Sequence, residues 1–416
     1  QARLRSVIEF HLNHQKSIKL FLAIPDHPWT DEGAAVRISM TAGEFNHSKF
    51  ERLAQWGTLI SEDEGLTPED SADRIKITWK SFDRIFSNLR AGTDVTKSQV
   101  LRANFNLVSR GVMSGSEGFQ VASQDLDLVE TDLLRTYING RDLLHNSRNK
   151  LIIDTVGLTE KKLQKKYPKT YQYILDRVKP ERLMNNDPKL RLEWWLYRRS
   201  NTILRDALKS LKRYIATVET SKYRVFIFLA YDILPDNKLV AIALDDAYFL
   251  GVLSSKIHVK WALACGGQLG PTPVYVKTKC FDPFPFPYPT DTQKQTIREL
   301  GERLDSHRKR VQATHPEVTI TGMYNLLEKL RNGEPLTDKD KAFNQKALVS
   351  TLKQIHDELD TAVFAAYGWE PTLTDDRILE NLVTLNAQRT EEERNGHIRW
   401  LRPDYQAPGE TYVQQA

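Results

Sequence analysis

Cysteine is scarce in this sequence, since only Cys265 and Cys280 occur among 416 residues. A disulfide framework and cysteine-rich zinc modules are therefore excluded, and we expect a reducing, cytoplasmic compartment. No uncharged apolar run approaches the ~20 residues that a membrane-spanning helix needs, so we expect no membrane partner. The first residue is Gln rather than Met, and no secretory signal pattern follows it. We therefore expect a piece of a longer protein.

Histidine is sparse and scattered as well, and no spacing typical of a metal site stands out. His11 and His14 are close together, but they are better interpreted as surface residues of an N-terminal helix, so we expect no metal. Hydrophobic residues make up 40% of the chain and charged residues 27%, which is typical of a globular protein and excludes a disordered one.

Acidic residues are scarce in one long stretch. Residues 141–224 carry a net charge of about +12, whereas the whole chain carries +5. Localised positive charge attracts polyanions, because each phosphate that is neutralised releases condensed counterions. A solvated lysine-rich surface is the alternative, but such surfaces usually intersperse acids. The charge pattern therefore favours nucleic acid as a partner.

Residues 188–217 keep the apolar periodicity of a helix of about eight turns, and Asp187 with Pro188 gives it a capped start. At 100° per residue, the basic residues of this segment form one stripe opposite the apolar face. The stripe consists of Arg191, Arg198, Arg205 and Lys212, widened by Arg199, Lys209 and Arg213. A purely solvent-facing stripe is the alternative, but its uniform sign favours a role in tracking phosphates.

Other segments predict strands, turns and helices. Residues 18–24 and 34–40 predict a hairpin at the end of a larger sheet, joined by a proline-containing loop at 25–33. Residues 223–231 and 238–244 predict a second hairpin, with its turn at residues 235–237. Helices are expected at 291–314, 321–332, 338–367 and 375–395. The glycine-rich segment 106–119 lacks the spacing of nucleotide-binding loops, so it is better interpreted as a connection than as a phosphate cradle.

Residues 280–289 alternate proline with aromatic residues, which forces an extended backbone that has few amide donors. A proline-rich ligand for a partner is one interpretation. A strap that packs within the chain is the favoured one.

Six motifs, in this order, resemble the C-terminal half of MmeI-like, class I S-adenosylmethionine-dependent DNA methyltransferases of bacterial restriction-modification and phage defence. The motifs lie at residues 134–143, 222–229, 250–255 with His258 and Trp261, 280–287, 365–369 and 398–405. The resemblance covers essentially the whole chain. The ordered set is more specific than any one motif.

The resemblance implies an α+β multi-domain fold. Residues 1–100 would be the end of a Rossmann-like methyltransferase sheet, residues 101–290 a mixed α/β target-recognition domain that binds DNA, and residues 291–416 an all-α C-terminal domain. The implied function is the DNA-recognition portion of a site-specific adenine-N6 methyltransferase that uses S-adenosylmethionine. Double-stranded DNA is the implied partner, with other defence-system subunits as possible additional ones. Cytosine-N4 remains open as the target, as does a fused nuclease.

Base flipping gives one residue an implied role, because the target nitrogen is buried in the duplex. In N6-adenine enzymes an aromatic residue before the last hairpin strand stacks on the flipped base, and Trp29 occupies that place; a turn tryptophan packing the sheet edge is the alternative. The family's (Asn/Asp)-Pro-Pro-(Tyr/Phe) motif and glycine-bearing cofactor motif do not occur in this sequence. We therefore expect no catalytic or cofactor-binding residue in this chain and no methylation by it alone.

Under this hypothesis, loops in 101–290 read base edges, and basic side chains contact phosphates. The candidates are Arg141, Arg148, Arg191, Arg198, Arg199, Arg205, Lys209, Lys212, Arg213, Lys222 and Arg224. A non-enzymatic specificity subunit that docks onto a separate methyltransferase is a second hypothesis, although a remnant of a catalytic sheet argues against it. A third is an interaction protein of acidic helices, which would have no DNA affinity.

Overall fold

The fold is mixed α/β, with three four-stranded sheets, one short hairpin and a helical C-terminal region among the residues described. The computed structural model describes residues 2–13, 18–31, 34–45, 54–61, 76–82, 84–86, 89, 93–145, 147–269 and 272–409. We refer to residues 1–100, 101–290 and 291–416 as the N-terminal, middle and helical regions. His14 lies outside the described ranges, so the predicted pair with His11 is not described. None of the helices in these ranges is both long and apolar enough to cross a membrane.

The described residues of the N-terminal region form one α-helix and one four-stranded sheet. Its elements are α1 (Ala2–Asn13), β1 (Ile18–Asp31), β2 (Ala34–Phe45), β3 (Ala54–Ser61) and β4 (Lys76–Phe82). The strand order is β2-β1-β3-β4, with β1 antiparallel to β2 and parallel to β3. The predicted hairpin is confirmed, but β1 continues through the segment that the prolines predicted as a loop, with a register shift between Ile24 and His27. Leu20, Ala23, Ala54, Ile85 and Leu89 form a small core here.

The middle region contains two four-stranded sheets with short helices between their strands. Its strands are β5 (Val108–Arg110), β6 (Gln120–Val121), β7 (Leu134–Ile138), β8 (Leu151–Ile153), β9 (Arg213–Val218), β10 (Ile227–Ala230), β11 (Leu234–Pro235), β12 (Leu239–Ile242), β13 (Gly267–Leu269) and β14 (Thr272–Val274). Its helices are α2 (Gly140–Leu144), α3 (Glu160–Lys166), α4 (Pro168–Arg177), α5 (Lys179–Leu183), α6 (Pro188–Leu192), α7 (Thr202–Leu208), α8 (Ala247–Ser254), α9 (Lys256–Cys265) and α10 (Lys277–Cys280). The orders are β10-β9-β12-β5, which is antiparallel throughout, and β11-β7-β8-β6; β13 pairs with β14.

The long helix predicted over 188–217 is wrong. Two short helices, α6 and α7, occur there, and the segment ends in strand β9. Asn201 interrupts the helical path with a left-handed backbone (φ 49°) and caps α7 through its side chain. Strand β9 is buried at the centre of its sheet, and pairing to strands far along the chain overrides its helical periodicity.

The second predicted hairpin is also wrong. Strands β10 and β12 both exist, but each pairs with β9, which lies between them. The sequence predicted a hairpin because the two strands are separated by a short segment that contains turn residues. The turn residues at 235–237 instead connect β11, in the other sheet, to β12.

The helical region closely matches its predicted helices. They are α11 (Asp291–Thr314), α12 (Ile320–Asn332), α13 (Asp338–Ala347), α14 (Val349–Tyr367), α15 (Asp375–Arg394) and α16 (Pro403–Gln406). Threonine side chains cap α11, α12, α13 and α15 at their N-termini, and Gly333 and Gly368 end α12 and α14 in the left-handed conformation. Residues of these helices and of the sheet containing β9 belong to one continuous hydrophobic cluster. The proline-aromatic strap is buried through residues 280–287, so it packs within the chain as predicted. Its predicted extended backbone is wrong at the start, because Cys280 ends α10 and residues 281–283 form a turn closed by the Phe284 N–H and the Phe281 carbonyl.

Candidate nucleic-acid interface

Residues 111–114, which we call the ribbon, hold two neighbouring arginines of the middle region through backbone hydrogen bonds. Met113 and Arg199 exchange N–H···O bonds of 3.1 Å, and the N–H of Arg198 donates to the Ser114 carbonyl at 3.2 Å. On the other side, the N–H of Gly111 donates to Leu239 at 2.9 Å. A Cβ atom on Gly111 would lie 2.1 Å from the Pro235 carbonyl oxygen, so only glycine allows this close approach. This backbone pairing therefore fixes the positions from which the side chains of Arg198 and Arg199 extend.

A cleft of about 410 Å³ lies beside this ribbon. Its lining includes Arg110, Arg199, Asn201, Asn237, Tyr275 and Lys277. Guanidinium, ammonium and amide groups are the ones that hydrogen-bond to base edges and phosphates in protein–DNA complexes. The cleft is thus chemically suited to a nucleic acid.

A buried carboxylate orients part of this lining. Glu219 is only 4% exposed, and it forms an ion pair with Arg110. The Lys238 ammonium lies 3.9 Å from the same carboxylate. The amide of Asn201 donates to the Ser109 hydroxyl at 2.8 Å and also to the Arg110 carbonyl. These bonds restrict the side chains of the cleft before any ligand arrives.

Four of the predicted phosphate contacts have exposed side chains without a hydrogen bond or ion pair to the described part of the chain. They are Arg141, Arg198, Arg199 and Lys212. Four others are exposed but bonded within the molecule: Arg148 to Asp142, Arg191 to the Asn185 carbonyl, Lys209 to Asp206, and Lys222 to Asn325 and Glu328. Burial opposes ionisation of Asp142, but the hydrogen bonds from Arg148 and nearby backbone N–H groups lower the pKa of this carboxyl.

The three remaining candidates are engaged inside the protein. Arg205 forms a bidentate pair with Asp154, at 2.6 and 3.0 Å. Arg213 pairs with Glu302, and its guanidinium lies 3.7 Å from the centre of the Phe228 ring. Arg224 is 7% exposed and donates to Thr217 and to the Val218 carbonyl. These three side chains stabilise packing, so we do not assign them to the proposed interface.

The predicted stripe of cations does not exist as such. Its core members, Arg191, Arg198, Arg205 and Lys212, lie on α6, on the segment before α7, on α7 and just before β9. Sequence reasoning also missed Arg110, Lys238 and Lys277 of the cleft region. All three lie outside the basic stretch 141–224, so counting charge along the chain gave no signal for them.

Trp29 lies in β1, where its backbone pairs with Val36, but its side chain is not among those described.

Within the described ranges, no group of three or more His, Cys, Asp or Glu residues could hold a metal ion. Cys265 and Cys280 are buried and unbridged, and burial raises the pKa of the Cys280 thiol to about 12.

Comparisons with known proteins show what the middle region and the fold are similar to. The family model "MmeI, target recognition domain" matches residues 129–288. DNA methyltransferase A of Bacillus subtilis (strain 168) is 26% identical over 160 residues, which are 38% of this chain and 16% of that protein. The structure of the type IIL restriction-modification enzyme MmeI in complex with DNA matches with a TM-score of 0.68 at 18% identity, covering 90% of this chain and 46% of that one. The chain thus spans less than half the length of these relatives. The resemblance to MmeI-like enzymes and the mixed α/β class are confirmed.

Proposed function

Because residues 129–288 carry a target recognition domain of the MmeI type, we propose that this chain is the DNA-recognition portion of a site-specific DNA methyltransferase in restriction-modification or phage defence. The observation that carries the proposal is the cleft in which Arg199, Asn201, Asn237 and Lys277 converge, with the exposed Arg198 next to Arg199 in the chain. An uncommitted surface of this kind is favourable for duplex DNA, since counterion release rewards each phosphate contact.

The cleft and the surrounding cations would have different tasks. The side chains of the cleft would read base edges, since arginine pairs well with guanine and asparagine with adenine in the major groove. Arg141, Arg198, Arg199 and Lys212 would contact phosphates or, in the case of Arg199, reach into the cleft. Arg148, Arg191, Lys209 and Lys222 would join them only where DNA competes with their present partners.

The activity of the whole protein is part of the same proposal. It would transfer a methyl group from S-adenosylmethionine to adenine N6, with Trp29 stacking on the flipped base. We assign no residue of this chain to the cofactor, because the sequence contains neither the proline-proline motif nor the glycine-bearing motif of such sites. The chain alone would then bind DNA without methylating it. The unbridged cysteines favour the cytoplasm as its compartment.

A specificity subunit that docks onto a separate methyltransferase is the second candidate. The absence of the catalytic motifs from this sequence fits it. The four-stranded N-terminal sheet favours the first candidate, because a subunit that only recognises DNA does not need the end of a catalytic sheet. Sequencing the coding region upstream of Gln1 separates the two: an in-frame Asn-Pro-Pro-Tyr or Asn-Pro-Pro-Phe supports the first, and a nearby start codon supports the second.

Salt-dependent DNA binding tests the proposal directly. We expect the chain to bind a mixed-sequence duplex in dilute buffer, with log K falling linearly as log[salt] rises. Replacing Arg199 or Lys212 by alanine should reduce the magnitude of that slope by about one unit each. Lys341→Ala in α13 is the matched control, since it removes one exposed charge that is paired only locally with Asp338. Failure of the wild-type chain to bind duplex DNA at low salt would refute the proposal.

A further inference from the structure

A tight turn at Ser114, Gly115 and Ser116 lies between two arginines. Gly115 has a φ of +70°, and a Cβ atom there would come within 2.9 Å of the Arg198 Cβ and 3.2 Å of the Arg182 Nη1. A side chain at this position would therefore be strained by its backbone and would displace a guanidinium group. The bare face of Gly115 thus lies against the Cβ of Arg198 and the guanidinium group of Arg182.

Arg182 is a buried cation without an ion-pair partner in the described ranges. It is 1% exposed, and its Nη2 donates to the Ser114 carbonyl at 2.6 Å. Its Nε and Nη1 have no hydrogen-bond partner among the residues described. The adjacent acid, Glu181, instead accepts a hydrogen bond from the Ser116 hydroxyl at 2.5 Å. A buried charge in this state is expensive for the folded protein, so its retention calls for an explanation.

The charged groups near Arg182 do not neutralise it. Burial lowers the pKa of the Arg182 guanidinium; Glu181 opposes this change, and the neighbouring positive charge of Arg198 adds to it. Two cations thus lie close together around Gly115 with one carboxylate near them. An anion bound at the turn would relieve the repulsion between the two arginines.

The turn also offers free donors. The side chain of Arg198 is exposed, and only its backbone N–H is used, in the bond to the Ser114 carbonyl. The backbone N–H groups of Gly115 and Ser116 have no hydrogen-bond partner within the ranges that the structure describes. Successive free N–H groups next to a guanidinium are a recurrent way of holding a phosphate.

We infer that the Ser114–Gly115–Ser116 turn is a phosphate-binding subsite of the DNA interface, in which Arg198 and the turn N–H groups contact one backbone phosphate and Arg182 supports it from beneath. The inference rests on the proposed DNA-recognition function and adds a defined position to it. It differs from a nucleotide-binding loop, whose glycine spacing this segment lacks. Arg182 is a positioning residue here, since its charge acts on the phosphate through the turn.

The Arg182→Met variant gives the sharpest test, because the two roles open to Arg182 predict opposite results. If its charge serves phosphate binding, replacing it with an apolar side chain of similar length should leave the melting temperature unchanged or raise it. The Ser114 carbonyl keeps a donor in this variant, the N–H of Arg198. Affinity for a duplex at low salt should fall about tenfold. A lowered melting temperature with unchanged affinity would show a structural role and overturn this part of the inference.

Arg198→Ala tests the subsite independently of folding, because its side chain is exposed. The slope of log K against log[salt] should become shallower by about one unit. Inorganic phosphate serves as a second probe. Compared with chloride at equal ionic strength, it should raise the melting temperature of the wild type by more than that of Arg198→Ala, which keeps only the general stabilising effect of phosphate. Stabilisation by phosphate without any effect of Arg198→Ala on DNA binding would assign the turn to a free anion and overturn the DNA subsite.

The same binding and melting measurements distinguish failure of the proposed function from failure of the subsite. Lys341→Ala, on the remote helix α13, should bind DNA and respond to phosphate as the wild type does. If the wild type binds no duplex, the proposed function fails. If the wild type binds duplex while Arg182→Met and Arg198→Ala bind with unchanged affinity and slope, only the subsite fails.

Discussion

Arg205 shows how a basic residue can serve stability within a surface proposed to bind DNA. Its guanidinium makes two hydrogen bonds to Asp154 and a third, of 2.9 Å, to the Ser200 carbonyl. The side chains of Arg205 and Asp154 are 21% and 10% exposed, so water competes little for either. Bidentate pairs in such surroundings fix geometry and are sensitive to the loss of one partner.

We predict that Arg205→Ala lowers the free energy of unfolding by about 2 kcal/mol, because it leaves the carboxylate of Asp154 largely buried without its partner. The salt dependence of DNA binding should keep its slope. Denaturant titration measures the first effect, and DNA binding at several salt concentrations the second. Lys209→Ala is the control, since its pair with Asp206 is exposed and should contribute well under about 1 kcal/mol. A slope that becomes shallower by a full unit would instead place Arg205 at a phosphate.

His258 is a buried histidine that makes the fold sensitive to acid. Its Nε2 lies 3.1 Å from the Tyr275 hydroxyl, and its ring packs edge-on against Phe284. Burial lowers the pKa of His258 to about 3, and the positive charge of Arg224 contributes to the shift. The unfolded chain would bind this proton near pH 6.5. Stability is therefore complete above pH 6.5 and is lost progressively as the pH falls towards 3.

The His258→Gln variant should lose less stability than the wild type between pH 7 and pH 5. The difference should be about 2 kcal/mol, because each pH unit below the unfolded pKa costs about 1.4 kcal/mol per group. Denaturant titrations at both pH values measure it. Packing lost in the variant is the same at both values and cancels. Burial also lowers the pKa values of His307 and His356, so part of the acid sensitivity remains. Equal losses in the two proteins would contradict the buried, neutral state of His258.

At the scale of elements, residues 188–217 show where sequence patterns stop being sufficient. Asp187 and Pro188 do begin a helix, as their local signals predicted. The segment then supplies Trp194 to one hydrophobic cluster and Leu204 to another. A single straight helix could not serve two cores, and periodicity along the chain carries no information about which core a residue joins.

The helical region was predictable because its signals are local. Thr290 and Gln293 form a capping box at the start of α11, and Gly368 ends α14 in the left-handed conformation. Even here, the break between α13 and α14 was missed, since Leu348 adopts a left-handed backbone that its residue type does not favour. Strand partners in the middle region had no comparable local signal.

The proline-aromatic strap depends on donors from elsewhere, because prolines supply no N–H groups. The Asn104 amide nitrogen donates to the carbonyls of Phe281 and Asp282 at 3.0 Å and of Phe284 at 2.9 Å. Asn386 donates to the Pro283 carbonyl at 2.7 Å. Two asparagines thus donate to the carbonyls of four successive buried residues, 281–284.

We predict that Asn104→Ala lowers the free energy of unfolding by about 2–3 kcal/mol. The Phe284 carbonyl would lose its only donor among the described residues, and the carbonyls of Phe281 and Asp282 would each keep one backbone donor. Asn332→Ala, at the exposed end of α12, is a matched control and should change it by less than about 0.5 kcal/mol. Thermal and denaturant unfolding measure both. A small effect at Asn104 would mean that water replaces the amide at the strap.

At the scale of the whole molecule, the cleft is assembled from segments far apart in the chain. Arg110, Arg199, Asn237 and Lys277 come from four separate stretches. The sequence could therefore predict a basic region and a nucleic-acid partner, but only tertiary pairing could show which side chains converge. The proposed boundary at residue 290 likewise divides a single hydrophobic cluster, to which Val240 and Leu250 contribute from one side and Leu304 and Leu359 from the other.

Glu393, near the end of α15 in the helical region, binds the start of the middle region. Replacing it tests whether the core that these two regions share unfolds as one unit. From the last turn of α15, its carboxylate accepts the backbone N–H groups of Arg102 at 2.7 Å and Ala103 at 2.9 Å, in a site 8% exposed. Glu393→Ala would leave both N–H groups without that acceptor, so we expect a loss of about 3 kcal/mol. Because one core joins the middle and helical regions, calorimetry should show their single transition moving to lower temperature. Glu391→Ala, which removes an exposed pair on the same helix, should leave it in place. A transition that splits into two would mean that the middle and helical regions unfold independently despite their common core.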